Sequence, residues 1–200
     1  MTVAAILMAG GESRRMGSPK PLLDWGGVTL IEYQLAQLHD AGADNVVAVL
    51  GHEADAVRPL VHKAGARAIL NELYREGRAS SVRVGAAGLG DDTEAVVVLN
   101  VDQPRPADVT RRLLHEHRAR RALVTLPMHA GKRGHPVILD GSLLSEMREV
   151  REDTQGLRAI VERHSRLVHE VEFDSPVILL DLNEPGDYET ARKMFFEVSA

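Results

Sequence analysis

Residues suited to binding phosphate groups are concentrated near the start of the chain. Gly10 and Gly11 are adjacent, Arg15 and Gly17 follow, and Lys20 ends the run. Glycines let backbone N–H groups approach phosphate oxygens closely, and fixed cations neutralise the phosphate charge. A short apolar stretch rich in branched residues precedes the run and predicts a buried parallel strand. Because open α/β sheets bind ligands at the carboxyl ends of their strands, this loop predicts a triphosphate site.

The spacing of the loop excludes two better-known phosphate-binding motifs. A Walker loop requires a lysine followed by serine or threonine, whereas Lys20 is followed by Pro21. The dinucleotide fingerprint requires Gly-x-Gly-x-x-Gly, which no register of these glycines provides. The motif that remains is Gly-Gly-x3-Arg-Met-Gly-x2-Lys.

Asp102 follows a strongly apolar stretch, residues 95–99, that predicts a central strand. A carboxylate at that strand end would lie beside the glycine-rich loop. Mg²⁺ is commonly held by one or two carboxylates together with triphosphate oxygens, so Asp102 is the first candidate metal ligand. The alternative is that Asp102 caps a helix beginning near Pro106, although Asp108 can also cap it.

Asp181 and Asn183 repeat this arrangement near the end of the chain. They precede Pro185, which suits the first turn of a helix. Either side chain could supply a second oxygen ligand to the metal. The alternative, that Asn183 is simply the N-cap of that helix, is equally open.

Asn71, Ser80 and Ser81 surround a predicted helix start between two apolar stretches. A serine cap would leave free N–H groups available to an anion or to a base edge. Without further context, the segment predicts only a loop and a helix cap.

Apolar and amphipathic stretches alternate along the chain and predict an α/β fold. Strands are predicted at residues 3–8, 45–50, 66–70, 95–99, 122–126, 166–173 and 177–180. Helices are predicted at residues 29–41, 53–64, 79–88, 107–119, 141–149, 154–164 and from 185 onward. The alternation implies a doubly wound, mostly parallel, Rossmann-like sheet with helices on both faces. Glycines and prolines in residues 127–140 predict a small hairpin excursion over the ligand edge, where an acceptor could lie.

The composition is that of an ordinary globular protein. The chain has 200 residues, of which 44% are hydrophobic, and a formal net charge of −5. The acidic balance argues against a nucleic-acid partner, and no apolar stretch approaches the roughly 20 residues needed to span a membrane. The absence of cysteine and of a visible signal peptide fits a cytoplasmic protein. No residue pattern indicates an oligomeric state.

These segments resemble, in order and over nearly the whole chain, the molybdenum cofactor nucleotidyltransferases and their relatives. The resemblance implies one nucleotidyltransferase domain over residues 1–200, with Arg15, Lys20 and Asp102 as catalytic residues. The residues implied to bind the nucleotide are Ala9, Gly10, Gly11, Gly17, Asn71, Ser80 and Ser81. Gly134 and His135 belong to a Gly-His-Pro-Val element typical of the cytidylyltransferase branch and are expected to bind the acceptor.

Two features depart from that family's pattern. Val101 precedes Asp102 where the family usually has glycine, so the backbone there is expected to differ. The triplet from Ala9 to Gly11 is closer to the guanylyltransferase branch, whereas the Asp-Gln-Pro and Gly-His-Pro-Val elements favour the cytidylyltransferases. We therefore expect CTP as the nucleotide, with GTP as the alternative.

The implied reaction moves a nucleoside monophosphate from a nucleoside triphosphate to a phosphorylated acceptor such as molybdopterin, with Mg²⁺ as cofactor and pyrophosphate as product. A phosphate nucleophile is already anionic near neutral pH, so positioning and charge neutralisation suffice. Three alternatives stay open: a transferase for sugar phosphates or other small phosphates, an NAD(P)H-dependent oxidoreductase on the same scaffold, and a non-catalytic nucleotide-binding regulator.

Overall fold

A sheet of eight strands lies at the centre of the computed structural model, which describes residues 2–196 of the chain. In chain order the strands are β1 (Val3–Ala9), β2 (Asn45–Leu50), β3 (Arg67–Leu70), β4 (Ala95–Asn100), β5 (Val124–His129), β6 (Lys132–Arg133), β7 (Val137–Asp140) and β8 (Val168–Glu172). Their spatial order is β3-β2-β1-β4-β7-β5-β6, and β8 pairs with β5. Four of the seven strand pairings within residues 2–196 are parallel. The predicted α/β class and doubly wound sheet are confirmed.

Helices cover both faces of the sheet. In chain order they are α1 (Leu30–Asp40), α2 (Ala54–Lys63), α3 (Arg78–Ala87), α4 (Ala107–Arg120), α5 (Leu144–Arg148), α6 (Leu157–Arg163) and α7 (Pro185–Phe196). The apolar sides of α1, α2 and α4 pack in one core, and those of α3, α5 and α6 pack in a second core on the opposite face. Within the described part of the chain, no helix combines the length and apolar character needed to cross a membrane.

The register of β1 and β4 determines where the site forms. Both strands consist almost entirely of buried residues, as expected of central strands that are covered on both faces. They run parallel from Val3 opposite Ala95 to Met8 opposite Asn100. The loops that follow them leave the same edge of the sheet side by side. This arrangement brings the glycine-rich loop next to Asp102.

Residues 127–140 form only in part the excursion that the sequence predicts. β6 makes a short hairpin with β5, in which Met128 lies opposite Arg133. β7 then returns to the sheet as an antiparallel strand between β4 and β5. Its first three residues are buried, so their aliphatic side chains are better accommodated in the sheet than over its edge.

The strand predicted at 177–180 is wrong, because Pro176–Leu179 forms a 3-10 helix. The carbonyl oxygens of Ile178 and Leu180 accept hydrogen bonds from the side chain of Arg105. These backbone groups are therefore satisfied without a neighbouring strand.

Three other predicted elements are shorter than expected. The helices predicted at 141–149 and 154–164 and the strand predicted at 166–173 correspond to α5, α6 and β8. Each is preceded by a 3-10 turn, namely Gly141–Leu143, Glu152–Thr154 and Ser165–Leu167.

Candidate active site

A cavity of about 270 Å³ opens where β1 and β4 end, and we refer to it as the first cavity. The glycine-rich loop contributes Ala9, Gly10 and Gly11 to its lining. A Cβ atom at Gly10 would lie 3.2 Å from the backbone nitrogen of Gly51, so the loop packs tightly against the end of β2 at that point. Gly11 instead faces open space, with no atom within 4 Å of a built Cβ. An anionic group can therefore approach the backbone at Gly11.

Lys20 and Asp102 form an ion pair in the lining of the first cavity. The Lys20 Nζ atom lies 2.6 Å from Asp102 Oδ2, and the two side chains are only 13% and 20% exposed. Lys20 Nζ also lies 3.4 Å from Asn183 Oδ1, and Arg15 donates to the same oxygen at 3.2 Å. The fold thus brings together four side chains, although 168 positions separate Arg15 from Asn183.

The Asp102 carboxyl is subject to burial and to neighbouring charges of both signs. Burial raises the pKa of the Asp102 carboxyl above its ordinary value, and the nearby Lys20 ammonium opposes this rise. The Asp181 carboxylate raises the pKa further because it adds a second negative charge. The Leu182 backbone N–H donates to the Asp102 carbonyl oxygen at 2.8 Å, which fixes the two acidic segments beside each other.

Both capping alternatives for these polar residues fail. α4 begins after Pro106 with no side-chain cap, and Asp102 is engaged with Lys20 instead. At the start of α7, Asp187 Oδ2 accepts the backbone N–H groups of Asn183 and Glu184. The Asn183 side chain is therefore free to face Arg15 and Lys20.

The loop carrying Asp102 is held in place by Gln34, a fully buried residue of α1. Its Nε2 group faces three carbonyl oxygens of that loop, and the shortest contact is 2.7 Å to Gln103 O. Its Oε1 atom accepts the backbone N–H of Arg105 at 3.1 Å. One amide side chain thus satisfies backbone groups along the whole turn.

Arg105 is 1% exposed and joins three chain segments. Its guanidinium donates to the carbonyl oxygens of Pro104, His135, Ile178 and Leu180 at 2.7–2.9 Å. Burial lowers the pKa of Arg105 to about 9, which leaves the group charged at neutral pH. Arg105 thereby links the end of β4 to the segment that carries Asp181 and to the loop containing His135.

Asn71, Ser80 and Ser81 form a buried hydrogen-bonded cluster. Asn71 Nδ2 lies 2.8 Å from Ser80 Oγ and 3.1 Å from Ser81 Oγ. The Ser80 hydroxyl in turn donates to the carbonyl oxygen of Gly77 at 2.8 Å. Ser81 lines the first cavity, whereas Asn71 and Ser80 do not.

The prediction that Ser80 or Ser81 caps a helix is wrong. α3 begins at Arg78, so both serines lie inside its first turns. The start of α3 is instead capped from another segment, because Glu152 Oε2 accepts the Ala79 backbone N–H at 2.8 Å.

A second cavity, of about 580 Å³, adjoins the first and shares Met8, Arg78 and Asn100 with it. Gly134 and His135 lie in its lining. The residues that give it an apolar floor are Met8, Ala79, Val82, Val98, Leu126, Val137, Leu157 and Val161. This floor suits a ligand larger and less polar than a phosphate group.

His135 is held neutral within this second cavity. Its Nδ1 atom lies 3.2 Å from Gln103 Nε2, so that ring nitrogen accepts the amide hydrogen. Burial lowers the pKa of His135 to about 4, and the positive charge of Arg105 acts in the same direction.

Comparison with known proteins identifies the family. The MobA-like NTP transferase domain matches residues 5–168. The chain belongs to this family. Its members are nucleotidyltransferases that bind nucleoside triphosphates together with a phosphorylated acceptor.

Two relatives match the chain over nearly its full length, and solved structures share its fold. The MobA-like chain is 30% identical to the nicotine blue oxidoreductase of Paenarthrobacter nicotinovorans over 96% of its own length and 95% of the relative's. It is 23% identical to the molybdenum cofactor cytidylyltransferase of Escherichia coli K12, with 98% of each chain covered. The crystal structure of Rv0371c from Mycobacterium tuberculosis H37Rv matches with a TM-score of 0.83 and 26% identity, over 96% of this chain and 98% of that one. A manganese complex of Rv0371c matches with a TM-score of 0.80 and 24% identity, over 96% and 99% of the two chains.

The oxygen donors in the MobA-like site fit a hard divalent cation. Asp102, Asp181 and Asn183 all line the first cavity and offer carboxylate and amide oxygens. Over residues 2–196, no group of three or more His, Cys, Asp or Glu side chains could hold a metal without further ligands. The remaining ligands of a cation here would be water or oxygens of a bound molecule, as is common for Mg²⁺ with triphosphates.

Two predicted loop residues lie outside the lining of the first cavity. Gly17 is exposed with a φ of +74°, a left-handed conformation that glycine adopts without strain. Arg15 is exposed and reaches the site through its hydrogen bond to Asn183. Ser13 and Lys20 close the loop that contains both residues, because the Ser13 Oγ atom accepts the Lys20 backbone N–H at 3.0 Å.

Sequence reasoning missed Gln34 and Arg105, and it included Gln103 only as part of the Asp-Gln-Pro element. For Gln34 a signal was available. Gln34 lies at helical spacing from Leu30 and Leu38, so it is a polar residue on the apolar side of α1. A buried amide on such a side must have hydrogen-bond partners, which points to a neighbouring irregular loop. Arg105 offers no such signal, because three of its four acceptors come from distant parts of the chain.

Proposed function

We propose that the protein is a magnesium-dependent nucleotidyltransferase that moves cytidine monophosphate from CTP to a phosphorylated acceptor of the molybdopterin type. GTP is the alternative nucleotide. The observation that carries the proposal is the meeting of Lys20, Asp102 and Asn183 in a cavity that the glycine-rich loop also lines. Cations, oxygen ligands and accessible backbone amides are what a metal-bound triphosphate requires.

In the proposed site the nucleotide is bound by Ala9, Gly10, Gly11, Gly17, Asn71, Ser80 and Ser81. Lys20 neutralises the phosphate oxygens directly, and Arg15 approaches them from its position on Asn183. Asn71 and Ser80 act by shaping the wall that Ser81 presents, since their polar groups are bonded to each other. Asp102, Asp181 and Asn183 hold Mg²⁺, which when bound shields negative charge on the triphosphate.

The proposed reaction is an in-line displacement at the α-phosphorus. A phosphate oxygen of the acceptor forms a new P–O bond as the bond between the α- and β-phosphates breaks, and pyrophosphate carries away the electron pair. The acceptor oxygen is already anionic, so no residue has to remove a proton. The chain contributes by holding the two phosphates in line and by neutralising the charge that they share.

The second cavity is the proposed acceptor site, with Gly134 and His135 in its wall. His135 stays neutral near pH 7 and can exchange hydrogen bonds with the acceptor without adding charge. The Gly-His-Pro-Val element and the resemblance to a cytidylyltransferase support CTP and a molybdopterin-type acceptor.

The decisive experiment measures pyrophosphate release with Mg²⁺ and each of CTP, GTP, ATP and UTP, with and without molybdopterin. Release that requires both CTP and molybdopterin supports the proposal, and release with GTP moves the protein to the guanylyl branch. If molybdopterin supports no release, the assay is repeated with sugar phosphates as acceptors, and release there redirects the assignment to that acceptor class. Nucleotide binding without release from any combination contradicts a transferase and leaves a regulator. Chelation of Mg²⁺ should abolish release, and added Mn²⁺ should restore it.

A second candidate function is favoured by the name of one relative, the nicotine blue oxidoreductase. It requires binding of NAD(P)H, although the chain lacks the Gly-x-Gly-x-x-Gly fingerprint. Oxidation of NAD(P)H, followed by absorbance with a dye-like substrate, tests it directly. Oxidation of NAD(P)H in this assay, together with no pyrophosphate release in the first, would favour the oxidoreductase over the transferase.

A further inference from the structure

Arg78 occupies the junction between the two cavities. It lines both the first and the second cavity, whereas Lys20 lines only the first, and Arg133 and Arg158 line only the second. Of the cationic residues in these linings, Arg78 is therefore the one that a ligand in either cavity could reach. The sequence motif that identifies the site does not include it.

The guanidinium of Arg78 has no bonded partner of its own. Within residues 2–196 it makes no hydrogen bond or ion pair, and it is exposed at the first position of α3. The other arginines in the second cavity are engaged, Arg133 with Glu170 at 2.7 Å and Arg158 with Glu162 at 2.8 Å. An unpaired guanidinium at a cavity mouth is free to bind an anion through two parallel N–H groups.

The surroundings of Arg78 connect it to residues of both cavities. Its charge acts on Asp102 in the first cavity, where burial and Lys20 are the larger influences on that carboxyl. The same charge acts on His135 in the second cavity, after the larger effects of burial and of Arg105. Glu152, which also lines the second cavity, accepts the Ala79 backbone N–H and does not bond to Arg78.

We propose that Arg78 binds the phosphate group of the acceptor and holds it at the junction, facing the nucleotide. The inference rests on the proposed function and adds the residue that joins its two substrates. The ligand class is a phosphomonoester whose less polar part lies on the apolar floor of the second cavity. Arg78 is then a substrate-binding residue of the transfer step, and Lys20 serves the nucleotide alone.

The test titrates phenyl phosphate, a phosphomonoester with an apolar ring, into protein saturated with Mg²⁺ and α,β-methylene CTP, and follows binding by calorimetry. The variants are Arg78→Met, which removes the charge at similar length, and Arg78→Lys, which keeps it. Arg120→Met is the matched control, because Arg120 is exposed on α4 and lines neither cavity.

We expect Arg78→Met to weaken the binding of phenyl phosphate at least tenfold and Arg78→Lys to weaken it by a smaller factor. Both variants should bind the CTP analogue within about threefold of the wild type, as should Arg120→Met for both ligands. Equal binding of phenyl phosphate by wild type and Arg78→Met, or no binding by the wild type, overturns the proposal.

Turnover separates this inference from the proposed function. If the wild type releases pyrophosphate, Arg78→Met should raise KM for the acceptor at least tenfold while KM for the nucleotide stays within threefold. An unchanged acceptor KM overturns the role of Arg78 and leaves the transferase intact. Absence of pyrophosphate release by the wild type overturns the transferase, and the phenyl phosphate titration then still decides whether Arg78 binds phosphate.

Discussion

At the scale of single residues, the ion pair between Lys20 and Asp102 is the most informative contact. Substituting either residue removes one charged contact to the proposed metal-bound triphosphate. Losses of this kind typically cost about 10²–10³ in rate. We expect Lys20→Ala and Asp102→Asn each to reduce pyrophosphate release by about that factor, measured as initial rates at saturating Mg²⁺.

The control for this prediction is another lysine in an ion pair. Lys63 pairs with Glu32 at 3.1 Å on the surface and lines neither cavity, so Lys63→Ala should retain wild-type turnover. Lys63→Ala should unfold close to the wild-type temperature, whereas Lys20→Ala and Asp102→Asn should unfold at a lower temperature but stay folded under assay conditions, because each leaves a largely buried partner unpaired. Near-normal turnover in Lys20→Ala would contradict the proposed role of Lys20 in neutralising the phosphate oxygens.

His135 makes stability depend on pH in a defined direction. Its pKa is about 4 in the folded chain and near the ordinary 6.5 when unfolded, so between these values only the unfolded chain binds the proton. Stability from this group is complete above pH 6.5 and is lost as the pH falls toward 4. The free energy of unfolding should drop by about 1 kcal/mol per pH unit at the steepest point.

The His135→Gln variant isolates this contribution. Denaturant unfolding at pH 7, 6, 5 and 4 should show a smaller loss of stability in the variant than in the wild type. Parallel curves for the two proteins would show that His135 does not titrate in that window. His117, whose pKa burial also lowers, contributes a slope that both proteins share.

At the scale of elements, α1 supports the site from beneath the loop after β4. Replacing Gln34 by Leu removes the amide from several buried backbone groups, and each unsatisfied group costs about 1–3 kcal/mol. We expect Gln34→Leu to lower the free energy of unfolding by about 2–4 kcal/mol, measured by urea denaturation. Turnover should fall as well, because the loop carries Asp102.

Gln37 provides the matched control on the same helix. Among the described residues its Oε1 atom accepts one N–H group, that of the Ala107 backbone at 2.8 Å, and the residue is half-buried. Gln37→Leu should cost about 1 kcal/mol and leave turnover unchanged. Equal destabilisation by the two substitutions would show that the hydrogen bonds of Gln34 contribute no more to the free energy of unfolding than the single bond of Gln37.

At the scale of the whole molecule, Arg105 joins regions that are far apart in the chain. Arg105→Met would leave four buried carbonyl groups without their donor and would fill the space with an apolar side chain. Removing one partner from a buried charged network typically costs about 3–5 kcal/mol. We expect a loss of that order in the free energy of unfolding, together with weaker nucleotide binding, because Asp181 and Asn183 follow the segment that Arg105 holds.

Arg112 serves as the comparison for Arg105. It is exposed on α4, lies 4.4 Å from the Phe173 ring centroid and donates to the Glu172 carbonyl oxygen. Arg112→Met should cost about 1 kcal/mol or less and leave nucleotide binding unchanged. Arg105→Lys, which keeps charge but not the planar fork, should fall between the two.

The sequence by itself determined the fold class, the family and the first half of the site. Apolar strands such as residues 95–99 and the glycine-rich loop are local patterns, and their physical basis lies in neighbouring residues. The expectation that Asp102 lies beside the loop carrying Lys20 also follows from sequence, since parallel strands of one sheet end at the same edge. The extent of a single domain over residues 1–200 stays a prediction, as do the roles of the individual site residues.

Only the tertiary structure decided how distant segments share their polar groups. The insertion of β7 between β4 and β5, and the 3-10 helix at Pro176–Leu179, depend on partners that no local pattern reveals. The same is true of Glu152, which caps α3 from 73 residues away. Burial creates these dependencies, because a buried carbonyl or N–H group must be satisfied by whichever donor or acceptor the fold brings near.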